Sequence, residues 1–200
     1  MGRSAPSIAH ELKNQARWRL IGEIDLDDDE HRWMNFSPPG SHFFVLADDF
    51  IGSGRTLRRL LADEEAPLPL LLSRHPKSEA RILLVAGFEE GLRSVLKDAK
   101  QRCPGRIKIV LFRRFTEADT CFRESSRIIR AEDQRGRLQQ FCVEVAERHF
   151  PSLSPSMRLG YAGLGALVVF YNTVPNTSLP ILWHDTGTWV PLFPASDLVR

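Results

Sequence analysis

Apolar residues in this chain gather into short runs separated by polar, Gly- and Pro-rich connections. Residues 42–47 (His-Phe-Phe-Val-Leu-Ala) are apolar and partly aromatic without alternation, the pattern of a strand buried on both faces of a parallel sheet. The run ends at Asp48-Asp49 and a Gly-Ser-Gly turn comes next. Residues 55–63 then suit a helix with Leu57, Leu60 and Leu61 on one face, which Pro67 and Pro69 are expected to end. Residues 81–87 (Arg-Ile-Leu-Leu-Val-Ala-Gly) predict a second buried strand. Residues 88–102 predict a helix with Leu92, Val95, Leu96 and Ala99 on one side. Cys103-Pro104-Gly105 stops that helix, and residues 107–112 make a third strand. Strand, helix, strand, helix, strand with short connections implies parallel neighbours joined by right-handed crossovers.

The flanks are less regular. Residues 8–24 suit a helix, and Asp27-Asp28-Asp29-Glu30 and Ser37-Pro38-Pro39-Gly40 punctuate the segment between it and the first strand. The acidic run reads as a solvated turn or helix cap, because adjacent side chains on one segment do not easily converge on one ion. Residues 133–149 predict a helix with Leu138, Phe141, Cys142 and Val145 inward, and residues 151–155 break the chain. Residues 164–170 fit either a strand or a buried helix. Residues 171–194, rich in Asn, Pro, Thr and Trp, are too irregular for one element. There is no internal repeat and no low-complexity tract.

Composition narrows the class. Two hundred residues suffice for one ordinary domain. Hydrophobic residues make up 42% and charged residues 26%, as in soluble globular proteins. The net charge of +2, from 27 basic and 25 acidic side chains, gives no bulk case for a nucleic-acid ligand. The longest apolar stretch, residues 164–171, falls far short of the roughly 20 residues a membrane span needs, and residues 8–25 are charged throughout, unlike a signal peptide. Cys103, Cys121 and Cys142 are odd in number and widely spaced, so neither a disulfide framework nor a zinc site is expected, and a reducing cytoplasm is the expected location.

The acid pair and the turn after it carry the chemistry. Ligands of open α/β sheets bind beyond the carboxyl ends of the strands. Glycines let backbone N–H groups approach a ligand closely, so the turn suits a phosphate, with Ser53 and Thr56 as hydroxyl donors. Asp48 and Asp49 would repel a phosphate but suit the vicinal hydroxyls of a ribose, whose O–H groups donate to carboxylates. Together these describe a cradle for ribose 5-phosphate. The Gly-Lys-Ser/Thr ending of a Walker A loop is absent, and so is the G-x-G-x-x-G of a dinucleotide fold. The plainer alternative is a tight strand-to-helix turn with an acidic cap.

The whole run from Phe44 to Thr56 resembles the PRPP (phosphoribosyl pyrophosphate) motif of type I phosphoribosyltransferases: apolar residues, two acids, then a turn closing in Gly-x-Thr. Farther on, Leu159-Gly160-Tyr161, Val168-Val169-Phe170, the stretch from Asn172 to Trp183, and Trp189-Val190-Pro191-Leu192-Phe193-Pro194 resemble a bacterial group. That group is the phosphoribosyltransferase-like domain of conflict systems (PRTase-CE), found beside predicted anti-phage genes and some retrons. Its terminal motif usually closes in Pro-Arg, whereas Ala195 follows Pro194 here and Arg200 lies beyond.

The resemblance implies an α/β fold: a parallel-sheet type I phosphoribosyltransferase-like domain over residues 43–200, with an irregular C-terminal hood. Asp48 and Asp49 would hold the ribose hydroxyls, as catalytic residues if the chain is an enzyme of glycosyl transfer. Ile51, Gly52, Ser53, Gly54, Arg55 and Thr56 would hold the 5-phosphate. Asp48 would also sit near a Mg²⁺ bound to pyrophosphate. Active members need an earlier strand and loop for pyrophosphate, and residues 1–42 leave little room for them. That N-terminal segment is therefore expected to be reduced or extra, with the missing part lost, supplied by another chain, or encoded upstream.

Tyr161, Asn172, Asn176 and Trp183 suit the base side of a pocket, since amides read base edges and aromatic faces stack. Equally, the asparagines can satisfy an irregular turn and Trp183 can be core. His184 and Asp185 are adjacent and diverge, so His184 is expected to be a surface or capping residue rather than half of a dyad. Arg113, Arg114, Arg123, Arg127, Arg130, Arg135 and Arg137 alternate with Glu117, Asp119, Glu124, Glu132 and Asp133, which reads as a mixed-charge surface rather than a nucleic-acid face. Arg113 or Arg114, expected just after the third strand, is the better placed for pocket electrostatics. The expectation is a protein that binds PRPP or a nucleotide and acts as an effector in an anti-phage or conflict system. The alternative is a non-catalytic nucleotide-sensing or assembly subunit of such a system. A sheet edge left open invites association, so an oligomer or a complex with a protein partner is expected, with no membrane.

Overall fold

The computed structural model describes residues 42–170 and 173–193. The expected helix at residues 8–24, the acidic run at 27–30, and Pro194, Ala195 and Arg200 lie outside them. The chain forms two compact units, one up to Arg114 and one from Phe115 onward.

The first unit contains β1 (Phe43–Ile51), α1 (Arg55–Arg59), α2 (Pro67–Arg74), β2 (Glu79–Phe88), α3 (Glu89–Arg102) and β3 (Ile107–Phe115). The strands form a three-stranded parallel sheet in the order β1-β2-β3, with Phe43 opposite Glu79 and Ile51 opposite Gly87. Both crossovers step in the same direction, and right-handed connections of like direction place their helices on the same face of a sheet. The core is the result. Phe44, Ala80, Ile82 and Leu84 from the strands pack with Leu57, Leu61, Leu68, Leu72, Val95 and Ala99 from the helices. Among the described residues the opposite face stays open, with Phe43 64%, Val85 46% and Phe112 73% exposed. Among the described residues, then, the strands are covered on one face.

Element boundaries also move. β1 continues through Asp48 and Asp49 to Ile51 instead of ending at Ala47. β3 runs to Phe115, so Arg113 and Arg114 lie inside it rather than after it. The helix expected at 55–63 is the five-residue α1, and Pro67 opens α2 instead of closing a helix. Proline at the first helical position loses no hydrogen bond and has its φ already set. Leu68, Leu71 and Leu72 of α2 then bury themselves at helical spacing. Leu96 of α3, expected inward, is exposed. Arg106, just ahead of β3, ties the carboxyl end of α2 to the start of β2: its Nη2 donates to the carbonyls of His75 (2.5 Å) and Ser78 (2.7 Å).

The second unit is built around α4 (Glu132–His149). Cys121, Cys142 and Leu179 form one small core, and Val145, Ala146 and Phe150 form another. The buried stripe of α4 is rotated from the expected one: Cys142, Val145 and Ala146 face inward, while Leu138 is exposed and Phe141 is 48% exposed. Residues 164–170 are neither strand nor helix. They are held by isolated bridges from Ala166 to Thr120 and Ser178. The buried Ser178 hydroxyl donates to the Val168 carbonyl (2.7 Å) and accepts from the Val168 N–H (3.2 Å). Residues 173–193 are irregular as expected, apart from a 3-10 turn at Pro180–Leu182. All three cysteines are free and buried.

Candidate functional site

Asp48 and Asp49 occupy the last turn of pleat in β1. Side chains alternate along a strand, which puts Asp48 on the helix-covered side with Phe44 and Leu46. Asp48 Oδ1 accepts the N–H of the next residue, Asp49, at 2.9 Å. Burial pushes Asp48 up to about 6, and the charge and side-chain hydrogen bonding of Asp49 push it the same way. Backbone N–H bonds from Asp49 and Phe50 oppose the rise without cancelling it. The two carboxyl groups therefore interact.

The chain then turns through Gly52, Ser53 and Gly54 into α1. Gly54 has φ 77° and ψ 3°, a left-handed conformation that costs a side-chain-bearing residue energy. Its carbonyl accepts the Arg58 N–H at 2.8 Å, which starts the helix. Ser53 Oγ receives the Arg55 N–H at 3.4 Å, so part of its capacity is turned to the local backbone. Ile51 is buried in the core, which leaves only its main chain for any ligand. Arg55 and Thr56 are exposed.

Beneath the turn lie two residues that the sequence does not single out. A Cβ on Gly91 would fall 2.1 Å from the Gly52 carbonyl oxygen and 3.0 Å from the Gly54 nitrogen. A Cβ on Gly87 would fall 2.0 Å from Ile51 Cγ2. The turn thus rests backbone to backbone on the start of α3. Phe50 packs edge-on to Phe88 at 5.9 Å, and Arg58 pairs with Asp98 at 2.8 Å, holding α1 to α3. A glycine in the first turn of a helix is a visible anomaly in sequence, but nothing local shows what it accommodates.

The base-side candidates belong to the second unit, and Asn172 lies outside the described residues. The Tyr161 N–H donates to the Asn176 carbonyl at 2.7 Å, which brings those two together. Asn176 is exposed. Trp183 commits its Nε1–H to the Ser178 carbonyl at 3.2 Å. His184 is not a surface cap: it is half-buried, with its ring edge-on to Phe150 (5.1 Å) and Trp183 (5.3 Å). Asp185 turns away to accept the Gly187 N–H at 2.9 Å.

Several arginines serve local structure. Arg127 pairs with Asp119. Burial would raise Asp119, but hydrogen bonds from Thr116 and Arg127 hold it below the usual carboxylate range. Arg135 donates to the carbonyls of Ile129 and Arg130, each at 3.2 Å. Arg113 and Arg114 are exposed on β3. Among the described residues no cluster of three or more His, Cys, Asp or Glu is arranged to hold a metal ion, and no helix is long and apolar enough to cross a membrane.

A parallel α/β sheet with an acid pair near the carboxyl end of its first strand and a glycine turn into a helix is consistent with a phosphoribosyltransferase-like fold. The whole sequence agrees: residues 3–195 match PRTase-CE, and the chain belongs to that family. The match includes residues ahead of β1 as well as both described units. No curated protein and no solved structure matches the chain.

Proposed function

We propose that the chain binds PRPP or a nucleotide at Asp48, Asp49 and the turn from Gly52 to Thr56, and that it acts as an effector in a bacterial anti-phage or conflict system. The observation that carries the ligand reading is the interacting acid pair joined directly to the constrained glycine turn. The carboxylates accept the ribose hydroxyls, and the turn presents main-chain N–H groups to the phosphoryl oxygens. The effector role rests on membership of the family, whose resemblance supplied that expectation.

Asp48 also fits the neighbourhood of a divalent cation. Its carboxyl is pushed up by burial and by Asp49, and a positive partner would relieve both penalties. Asp48 would stand beside Mg²⁺ bound to pyrophosphate; the chemistry Mg²⁺ supplies when bound is neutralisation of the leaving group's charge. The residues' own contribution to transfer is electrostatic: negative charge at Asp48 and Asp49 favours the cationic character that develops at the ribose C1.

Equilibrium binding of PRPP and nucleoside monophosphates tests the reading. Asp49→Asn and Gly54→Val are each expected to weaken binding at least tenfold, and unchanged affinity in both removes the proposal. Release of pyrophosphate from PRPP assigns the enzyme role. Binding without release assigns the chain to sensing or assembly.

A further inference from the structure

We propose that Gly91 is a positioning residue for the phosphate end of this site, with Gly87 and Val95 as its supports. The inference rests on the reading of the turn as a phosphate cradle and says what gives that cradle its shape. Contact between the turn and α3 is reciprocal. A Cβ at Gly91 would meet Gly52 O at 2.1 Å, and a Cβ at Gly54 would meet Gly91 O at 2.7 Å and Val95 Cγ2 at 3.0 Å. The atoms in conflict are mostly main chain, so no side chain can rotate away to make room. Even one methyl at Gly91 must push the turn off α3, by on the order of 1 Å given ordinary nonbonded contact distances.

Such a shift matters for an anion site built from main-chain N–H groups, because hydrogen-bond strength falls steeply with misalignment. Gly87 supports the approach to the turn through Ile51, since a Cβ there would meet Ile51 Cγ2 at 2.0 Å and its carbonyl oxygen at 2.6 Å. Helix propensity points in the opposite direction. Alanine is a better helix former than glycine, so Gly91→Ala improves α3 locally while displacing the turn. Gly136, in the interior of α4, is the natural control, because a Cβ there meets nothing within 4 Å.

The test uses the full chain as wild type, Gly91→Ala and Gly136→Ala. Amide hydrogen exchange over residues 52–58 is read without ligand, and binding is measured for a nucleoside monophosphate and its parent nucleoside. Gly91→Ala is expected to speed exchange in the turn and to weaken the monophosphate at least tenfold. Nucleoside affinity and the circular dichroism spectrum should stay unchanged, and Gly136→Ala should alter neither readout. Equal losses for monophosphate and nucleoside, or unchanged exchange in the turn, overturn the inference. Should Gly91→Ala fail to fold, Val95→Ala removes the methyl under Gly54 and faces the same pair of outcomes. If the wild type binds neither ligand, the proposed function fails, while exchange at residues 52–58 still decides whether Gly91 positions the turn.

Discussion

Asp48 holds its proton more tightly than a free aspartate, at about 6 against the ordinary 3.8, first because it is buried and then because Asp49 is beside it. Between pH 4 and 6 the folded chain therefore retains a proton that the unfolded chain has lost. The stability this gives is fully present below pH 4 and disappears as pH rises through about 6. Asp48→Asn keeps an oxygen to accept the Asp49 N–H but removes the cost of ionisation. The variant is expected to gain stability relative to wild type between pH 4 and pH 7.5, by on the order of 1–3 kcal/mol. Urea midpoints of both proteins at the two pH values check this, and a constant difference would contradict the burial argument. The acids and the glycine turn were legible in sequence because they interrupt an apolar run within one short stretch. Gly91 was not, because its partner in contact is Gly52 and only the parallel crossover brings α3 under the turn.

Among the elements, helices show best how local signals and packing divide the work. Gly136 lies inside α4 with open space around its Cβ position. Gly136→Ala should therefore stabilise the chain by about 0.5–1 kcal/mol, seen as a rise in thermal midpoint; a fall would mean that the glycine has an unseen packing role. Pro67 illustrates the opposite lesson. From sequence it reads as the end of a helix, and its role as a beginning comes from the burial of Leu68, Leu71 and Leu72 behind it. The existence of α4 was legible from its apolar spacing, but not which stripe faces in. The stripe on Cys142, Val145 and Ala146 wins over Leu138 and Phe141 because its small residues let the neighbouring cores around Leu179 and Phe150 approach.

At the scale of the whole molecule, the first unit has a sheet whose two apolar faces fare differently. Leu84, fully buried under the helices, and Phe112, 73% exposed, are both large apolar residues on adjacent strands. Leu84→Ala should cost about 2–5 kcal/mol, whereas Phe112→Ser should stay within roughly 0.5 kcal/mol of wild type. Denaturant midpoints of the two variants compare the faces directly, and similar losses would show that the outer face is packed in solution. By itself the sequence determined the alternation of strands and helices, their parallel order, and the acid–glycine stretch after the first apolar run. Those depend on residues close together along the chain, where periodicity and turn chemistry act. Only the tertiary structure decided which sheet face is covered, which stripe of α4 is buried, and that the turn rests on Gly91. Those depend on contacts between residues far apart in sequence, and an apolar or glycine residue carries no mark of the distant partner it meets.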